Sequence, residues 1–179
     1  MKTVFIINGK GACGKDTLIK AVAAKYPTQN ESAIDPVKAA GRLLGYEGGK
    51  SEKDREFLSK MKELSTWYND HPTQYLLEKY RKFEESGNEL LFLHIREPEQ
   101  IEHFLKYFKQ EVKSPDTRIG TILIKSAWTE DCVYGNPSDD NVDKMHYDLI
   151  YINKEGEETS GAVFLDALES FIRKLHKTV

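Results

Sequence analysis

Two hydrophobic periods alternate along this 179-residue chain. Lys2–Asn8 ("KTVFIIN") is a nearly unbroken run of Val, Ile and Phe, the pattern of a strand covered on both faces. From 15 to 26, apolar residues return at Leu18, Ile19, Val22, Ala23 and Tyr26, the spacing of a helix face, and Pro27 stops the run. A short strand is expected around 32–34, then a helix from Pro36 to about Leu44, with Asp35 as its cap and Gly45 at its end. Beyond Gly48-Gly49 a long helical pattern covers 51–68. His71-Pro72 interrupts it, and 73–85 resumes as helix until Gly87. "ELLFLHI" at 89–95 is a second buried strand, 98–109 a helix, and "RIGTILIK" at 118–125 a third strand. Residues 126–143 carry Gly135, Asn136-Pro137 and little apolar period, so they read as a loop. A strand at 147–152 and an amphipathic helix at 159–176 close the chain.

Strands alternating with helices imply a parallel sheet covered on both faces, with ligands at the carboxyl ends of the strands. The expected fold is a single three-layer α/β domain, with a helical arm at about 36–86 and a lid at about 126–143. Composition narrows the partners. With 39% hydrophobic residues, 31% charged residues and a net charge of −3, the chain lacks the basic excess of a nucleic-acid binder. Runs such as "LLFLHI" are too short to span a bilayer, so no membrane partner is expected. "MKTVFIING" enters structural sequence without a basic region and cleavage site. Cys13 and Cys132 form neither a disulfide framework nor a metal cluster, which suits a cytoplasmic protein. Composition leaves the oligomeric state open.

The chemistry concentrates where the first strand meets the first helix. Gly9-Lys10-Gly11-Ala12-Cys13-Gly14-Lys15 fits the phosphate-loop pattern G-x-x-x-x-G-K. Glycines let the backbone turn its amides inward around a phosphate, the next helix presents its positive end, and Lys15 reaches the terminal phosphates. A glycine turn needing no ligand is the plain alternative, but the strand before and the helix after are the context a nucleotide site requires. A nucleotide with β- and γ-phosphates, together with Mg2+, is therefore the expected ligand. Asp16 stands where Ser or Thr usually offers a neutral oxygen to magnesium. Its carboxylate is either a hard metal ligand or a partner of the helix dipole. Thr17 keeps a hydroxyl one position later, suited to the α-phosphate or the metal. Cys13 reads either as a small residue that fits the loop or as a thiol favoured as thiolate by the helix N-terminus.

Five segments carry a resemblance: "GKGACGKDT", "DPVKAAGRLLGY" at 35–46, "KDREFL" at 53–58, "LFLHIREPEQIEHF" at 91–104 and "YDLIYINKEG" at 147–156. In this order they resemble the deoxynucleoside monophosphate kinases of phages and, as a related branch, the animal type of phosphomevalonate kinase. The resemblance implies a P-loop nucleoside-monophosphate-kinase-like fold that moves the γ-phosphoryl group of ATP to a small monophosphate, such as a (deoxy)nucleoside monophosphate. It implies nucleotide binding by Gly9, Gly11, Ala12, Cys13, Gly14, Lys15, Asp16 and Thr17, with Asp16 and Thr17 toward the metal. It also implies a place for Asn153 in a final strand beside the adenine. Lys38, Arg42, Arg55 and Arg96 would grip the acceptor phosphate, and Lys15, Arg42 and Arg96 would carry the catalysis. Residues 37–62, rich in Lys and Arg, suit that role, although a solvated helix face has the same composition.

Two departures stand out. His94 occupies the strand-end position where the family presents Asp. The segment 126–143 holds Glu130, Asp131, Asp139, Asp140 and Asp143 but no Lys or Arg, where the family's lid brings arginines onto the moving phosphoryl group. The positive charge would then come from Lys15, Arg96, Arg118, Lys125 or the metal. These departures keep a second reading open, a nucleotide-binding regulatory or partner-binding protein with weak or no transfer. No Asn-Lys-x-Asp sequence selects guanine, and a loop ending in Gly-Lys disfavours a dinucleotide fold.

Overall fold

The computed structural model describes residues 2–49, 51–112, 114–132, 135, 137–154 and 157–177. Its elements follow the order β1 (Lys2–Asn8), α1 (Lys15–Ala23), β2 (Thr28–Ser32), α2 (Asp35–Leu43), α3 (Glu52–Asn69), α4 (His71–Glu85), β3 (Leu90–His94), α5 (Pro98–Glu111), β4 (Thr117–Ser126), α6 (Pro137–Asp140), β5 (Leu149–Asn153) and α7 (Glu157–Lys177). Five parallel strands form one sheet in the order β2-β3-β1-β4-β5. The apolar run of β1 follows from its central place: Val4, Phe5 and Ile6 are fully buried between β3 and β4.

Alternate residues of the strands feed two cores. Val4, Ile6, Leu91, Leu93 and Leu123 pack with Leu76, Leu77, Tyr80 and Phe83 of α4 and with Ile101, Phe104 and Phe108 of α5. Phe5, Ile7, Phe92, Ile122 and Ile124 pack with Leu18, Ile19 and Val22 of α1 and with Phe164, Leu168 and Phe171 of α7. The three-layer α/β architecture expected from the sequence is present. Because β1 turns from strand to loop between β3 and β4, the segment 9–14 emerges at the carboxyl edge of the sheet, near its centre.

Three local readings change. The second strand lies at Thr28–Ser32 rather than 32–34, pairing with β3 from Thr28 opposite Leu90 to Ser32 opposite His94. Asp35 does not cap α2: its Oδ2 accepts the amide of Ser32 at 3.0 Å and fastens the turn behind the helix. The loop 126–143 contains one helical turn, α6. Of the three helices in the expected arm, α4 lies on the sheet, whereas Leu58 is the one buried residue of α3. Helix α3 starts from a capping box, in which Ser51 Oγ accepts the Asp54 amide at 3.2 Å and Asp54 Oδ2 accepts the Ser51 amide at 3.0 Å.

Candidate functional site

Two glycines of the loop, Gly9 and Gly14, are required by its geometry. Gly9 has φ +146°, and a Cβ there would lie 2.4 Å from the Ile124 carbonyl oxygen. Gly14 has φ +91°, and a Cβ would strike Asn153 Nδ2 at 2.5 Å. Ala12 also takes the left-handed conformation, at φ 61°. This sequence of conformations carries the chain from β1 into the first turn of α1.

Asn8 and side chains from later in the chain hold the loop. Asn8, fully buried at the end of β1, accepts the Gly9 amide at 2.8 Å and donates to the Arg96 carbonyl at 2.7 Å and to Tyr147 Oη at 2.8 Å. Tyr147 in turn donates to the Val142 carbonyl at 2.8 Å, and burial pushes its phenol up to about 12. Trp128 Nε1 donates to the Ala12 carbonyl at 2.9 Å. Asn153 Nδ2 donates to the Cys13 carbonyl at 3.2 Å, from a side chain that is almost wholly buried. The thiol of Cys13 lies in the core with Phe5, Ile7 and Leu18, which agrees with the packing reading of that residue.

Lys15 folds back over the loop. Its Nζ donates to the carbonyls of Gly9 at 2.6 Å and Lys10 at 2.9 Å, and approaches Cys13 Sγ at 3.4 Å. Lys10 points the other way and donates to the carbonyls of Glu130 at 2.8 Å and Cys132 at 2.9 Å. Asp16 is exposed and Thr17 half-buried, both in the first turn of α1.

The strand ends add a second group. His94 lies opposite Ile7 in the sheet, and its Nε2 donates to Asn30 Oδ1 at 2.8 Å. It is therefore a satisfied histidine at a strand end. Its pKa is pushed down to about 4, chiefly by burial. The Asp16 carboxylate acts against that shift, and the cations Lys15, Arg96 and Lys38 add to it. Four of the sequence-selected residues thus act electrostatically on one point. Arg42 and Arg55 are exposed on α2 and α3. Glu97, next to the strand end, is ion-paired with Lys62 of α3. Arg118 sits at the amino end of β4, opposite Thr3, at the far edge of the sheet from the loop, so it cannot supply charge there. Lys125 pairs with Asp143 at 3.1 Å.

One acidic residue of 126–143 enters the site. The carboxylate of Asp139 accepts the Gly11 amide at 2.9 Å and lies 3.2 and 3.3 Å from Arg96 Nη1, with only 5% of the side chain exposed. In the sequence this residue stands only as one of the five acids of 126–143. Neither it nor Asn8 and Trp128 as loop clamps was found from the sequence. The one available signal was a polar residue closing an otherwise apolar strand at Asn8.

The arrangement fits a magnesium-nucleotide. Asn153 Oδ1 is buried and lacks a hydrogen-bond partner among the described residues, an acceptor beside the loop that a base amino group could satisfy. Among the described residues no group of three or more His, Cys, Asp or Glu could hold a metal, and magnesium bound through one carboxylate, one hydroxyl and phosphate oxygens needs none.

No protein-family model matches the sequence, and neither does any curated protein. Solved structures do match. A dephospho-CoA kinase from Campylobacter jejuni superposes with a TM-score of 0.54 at 14% identity, covering 97% of this chain and 99% of that one. An unliganded sugar kinase from a Janibacter species gives 0.51 at 10% identity, covering 97% and 95%. At these identities the likeness is one of fold, and it spans both chains almost end to end. The molecule has the α/β fold of P-loop kinases, a parallel five-stranded sheet between helices. Among the described residues no helix is long and apolar enough to cross a membrane.

Proposed function

We propose that the chain is an ATP-dependent kinase acting on a small phosphorylated acceptor, such as a (deoxy)nucleoside monophosphate. The observation that carries this reading is the loop Gly9–Gly14 at the carboxyl edge of a central strand, with Lys15 folded over it and Arg96 two residues beyond the neighbouring strand. The fold shared with two kinases supports it. In the bound state an acceptor oxygen bonds to the γ-phosphorus as its bond to the β,γ-bridging oxygen breaks and ADP leaves; magnesium, when bound, would offset the phosphate charge.

The chain's own residues supply position and charge. The inward amides of the loop bind phosphate oxygens, and Lys15 leaves its carbonyl partners to neutralise the terminal phosphate. Asp16 and Thr17 would hold the metal from the first turn of α1. Asn153 offers its buried oxygen to the base. Arg96 and Lys38, with Arg42 and Arg55 on the outward helices α2 and α3, would grip the acceptor phosphate; guanidinium groups bind it through two parallel donors.

The test is ADP release from Mg-ATP over a panel of nucleoside and deoxynucleoside monophosphates plus phosphomevalonate. Acceptor-dependent release should fall by roughly 10²-fold or more in Lys15→Ala, as expected when a donor to the transition-state charge is lost. A second reading, a nucleotide-binding regulatory protein, draws on the Asp139–Arg96 pair and the arginine-free segment 126–143. Tight ATP binding with no release for any acceptor would favour it.

A further inference from the structure

We infer that Asp139 is an internal ligand of the phosphate site, a carboxylate that a phosphoryl group must displace before the site can work. The inference rests on the reading of 9–17 as a phosphate loop and adds a competitor within the same chain. A carboxylate resembles one face of a phosphate: a flat pair of oxygens sharing negative charge, able to accept from an amide and a guanidinium at once. Asp139 does both, through the Gly11 amide at 2.9 Å and Arg96 Nη1 at 3.2 and 3.3 Å.

The geometry is specific. Asp139 belongs to a segment otherwise rich in acid, yet its side chain is 5% exposed while its partner Arg96 is 50% exposed. Burying a carboxylate is costly unless charged and hydrogen-bonding partners receive it. The partners here are the phosphate-loop backbone and a cation selected for the acceptor. The same segment is attached to the loop at other points, through Trp128 on the Ala12 carbonyl and Lys10 on the carbonyls of Glu130 and Cys132. A phosphate arriving at Gly11 and Arg96 therefore meets an occupied receptor. The acidic segment thereby has a role without arginines: in the resting protein it satisfies the cation that a substrate would otherwise claim.

The experiment compares inorganic pyrophosphate and Mg-ATP binding by calorimetry in the wild type, Asp139→Asn, Arg96→Ala and the double variant. Asparagine keeps the size and one acceptor but removes the charge. Pyrophosphate should bind roughly tenfold or more tightly to Asp139→Asn, the scale of a charge-assisted hydrogen bond, and the gain should vanish without Arg96. Unchanged or weaker binding in Asp139→Asn, with wild-type binding intact, overturns the inference and leaves the phosphate-loop reading standing. Binding to none of the proteins overturns both. Hydrogen exchange on the wild type decides the matter if the variant misfolds. Peptides covering Asp139 should lose protection when pyrophosphate is added, and equal or greater protection would overturn the proposal.

Discussion

At the scale of single residues, His94 shows how a site can impose a protonation state. Its imidazole, half-buried and bonded to Asn30, is held neutral, with its pKa lowered from 6.5 to about 4. The unfolded chain takes up a proton near pH 6.5 that the folded chain refuses until about pH 4. The stability that neutral His94 contributes is thus fully present above pH 6.5 and falls as pH drops toward 4. The difference is on the order of 2–3 kcal/mol. Urea unfolding at pH 7 and pH 4 should show a smaller pH loss in His94→Gln than in wild type, since carboxylate titrations are common to both. An identical loss would place the effect on other groups. The same position, where a family carboxylate was expected, presents the site with a neutral ring.

Among the elements, α3 depends on few contacts. It buries Leu58, begins at the Ser51–Asp54 capping box, and is tied to the start of α5 by the Lys62–Glu97 ion pair. The pair is largely shielded, with 14% and 28% of the side chains exposed. Removing one partner leaves the other charge half-buried, so Glu97→Gln should cost about 1–3 kcal/mol, between the values for exposed and buried pairs. Chemical denaturation measures this, and hydrogen exchange should show the loss concentrated in α3. How far such elements were legible depended on where their side chains went. β1, β3 and β4 announce themselves because both faces are buried, and α1 because one face is. β2 was misplaced because "TQNES" is an edge strand of polar, half-exposed residues, held by its ladder to β3 rather than by apolar burial. For α4 the sequence gives a helix but not the sheet beneath it. At the site the glycine loop 9–14 was legible because its turn is local. The Gly11–Asp139 and Ala12–Trp128 bonds join residues 128 and 116 positions apart, and no local pattern encodes them.

For the whole molecule, the two cores share one sheet, and β1 contributes to both. Phe5 meets Phe92 and Phe171 at ring-centroid distances of 5.2 and 5.9 Å. Phe5→Ala should cost about 3–5 kcal/mol, the range for deleting a buried aromatic ring. Both cores should be lost together, so far-ultraviolet circular dichroism and near-ultraviolet signals should trace one transition. Separate midpoints would show that the layers fold independently. The same connectivity brings the segment after β4 back over the loop after β1, and there it sets one of the chain's two tryptophans on the Ala12 carbonyl. The other, Trp67, stands on the outer surface of α3, 79% exposed. Trp67→Phe would leave a single tryptophan, hydrogen-bonded to the loop 9–14, so its emission, excited selectively over the tyrosines, would report occupancy of that loop without any attached dye.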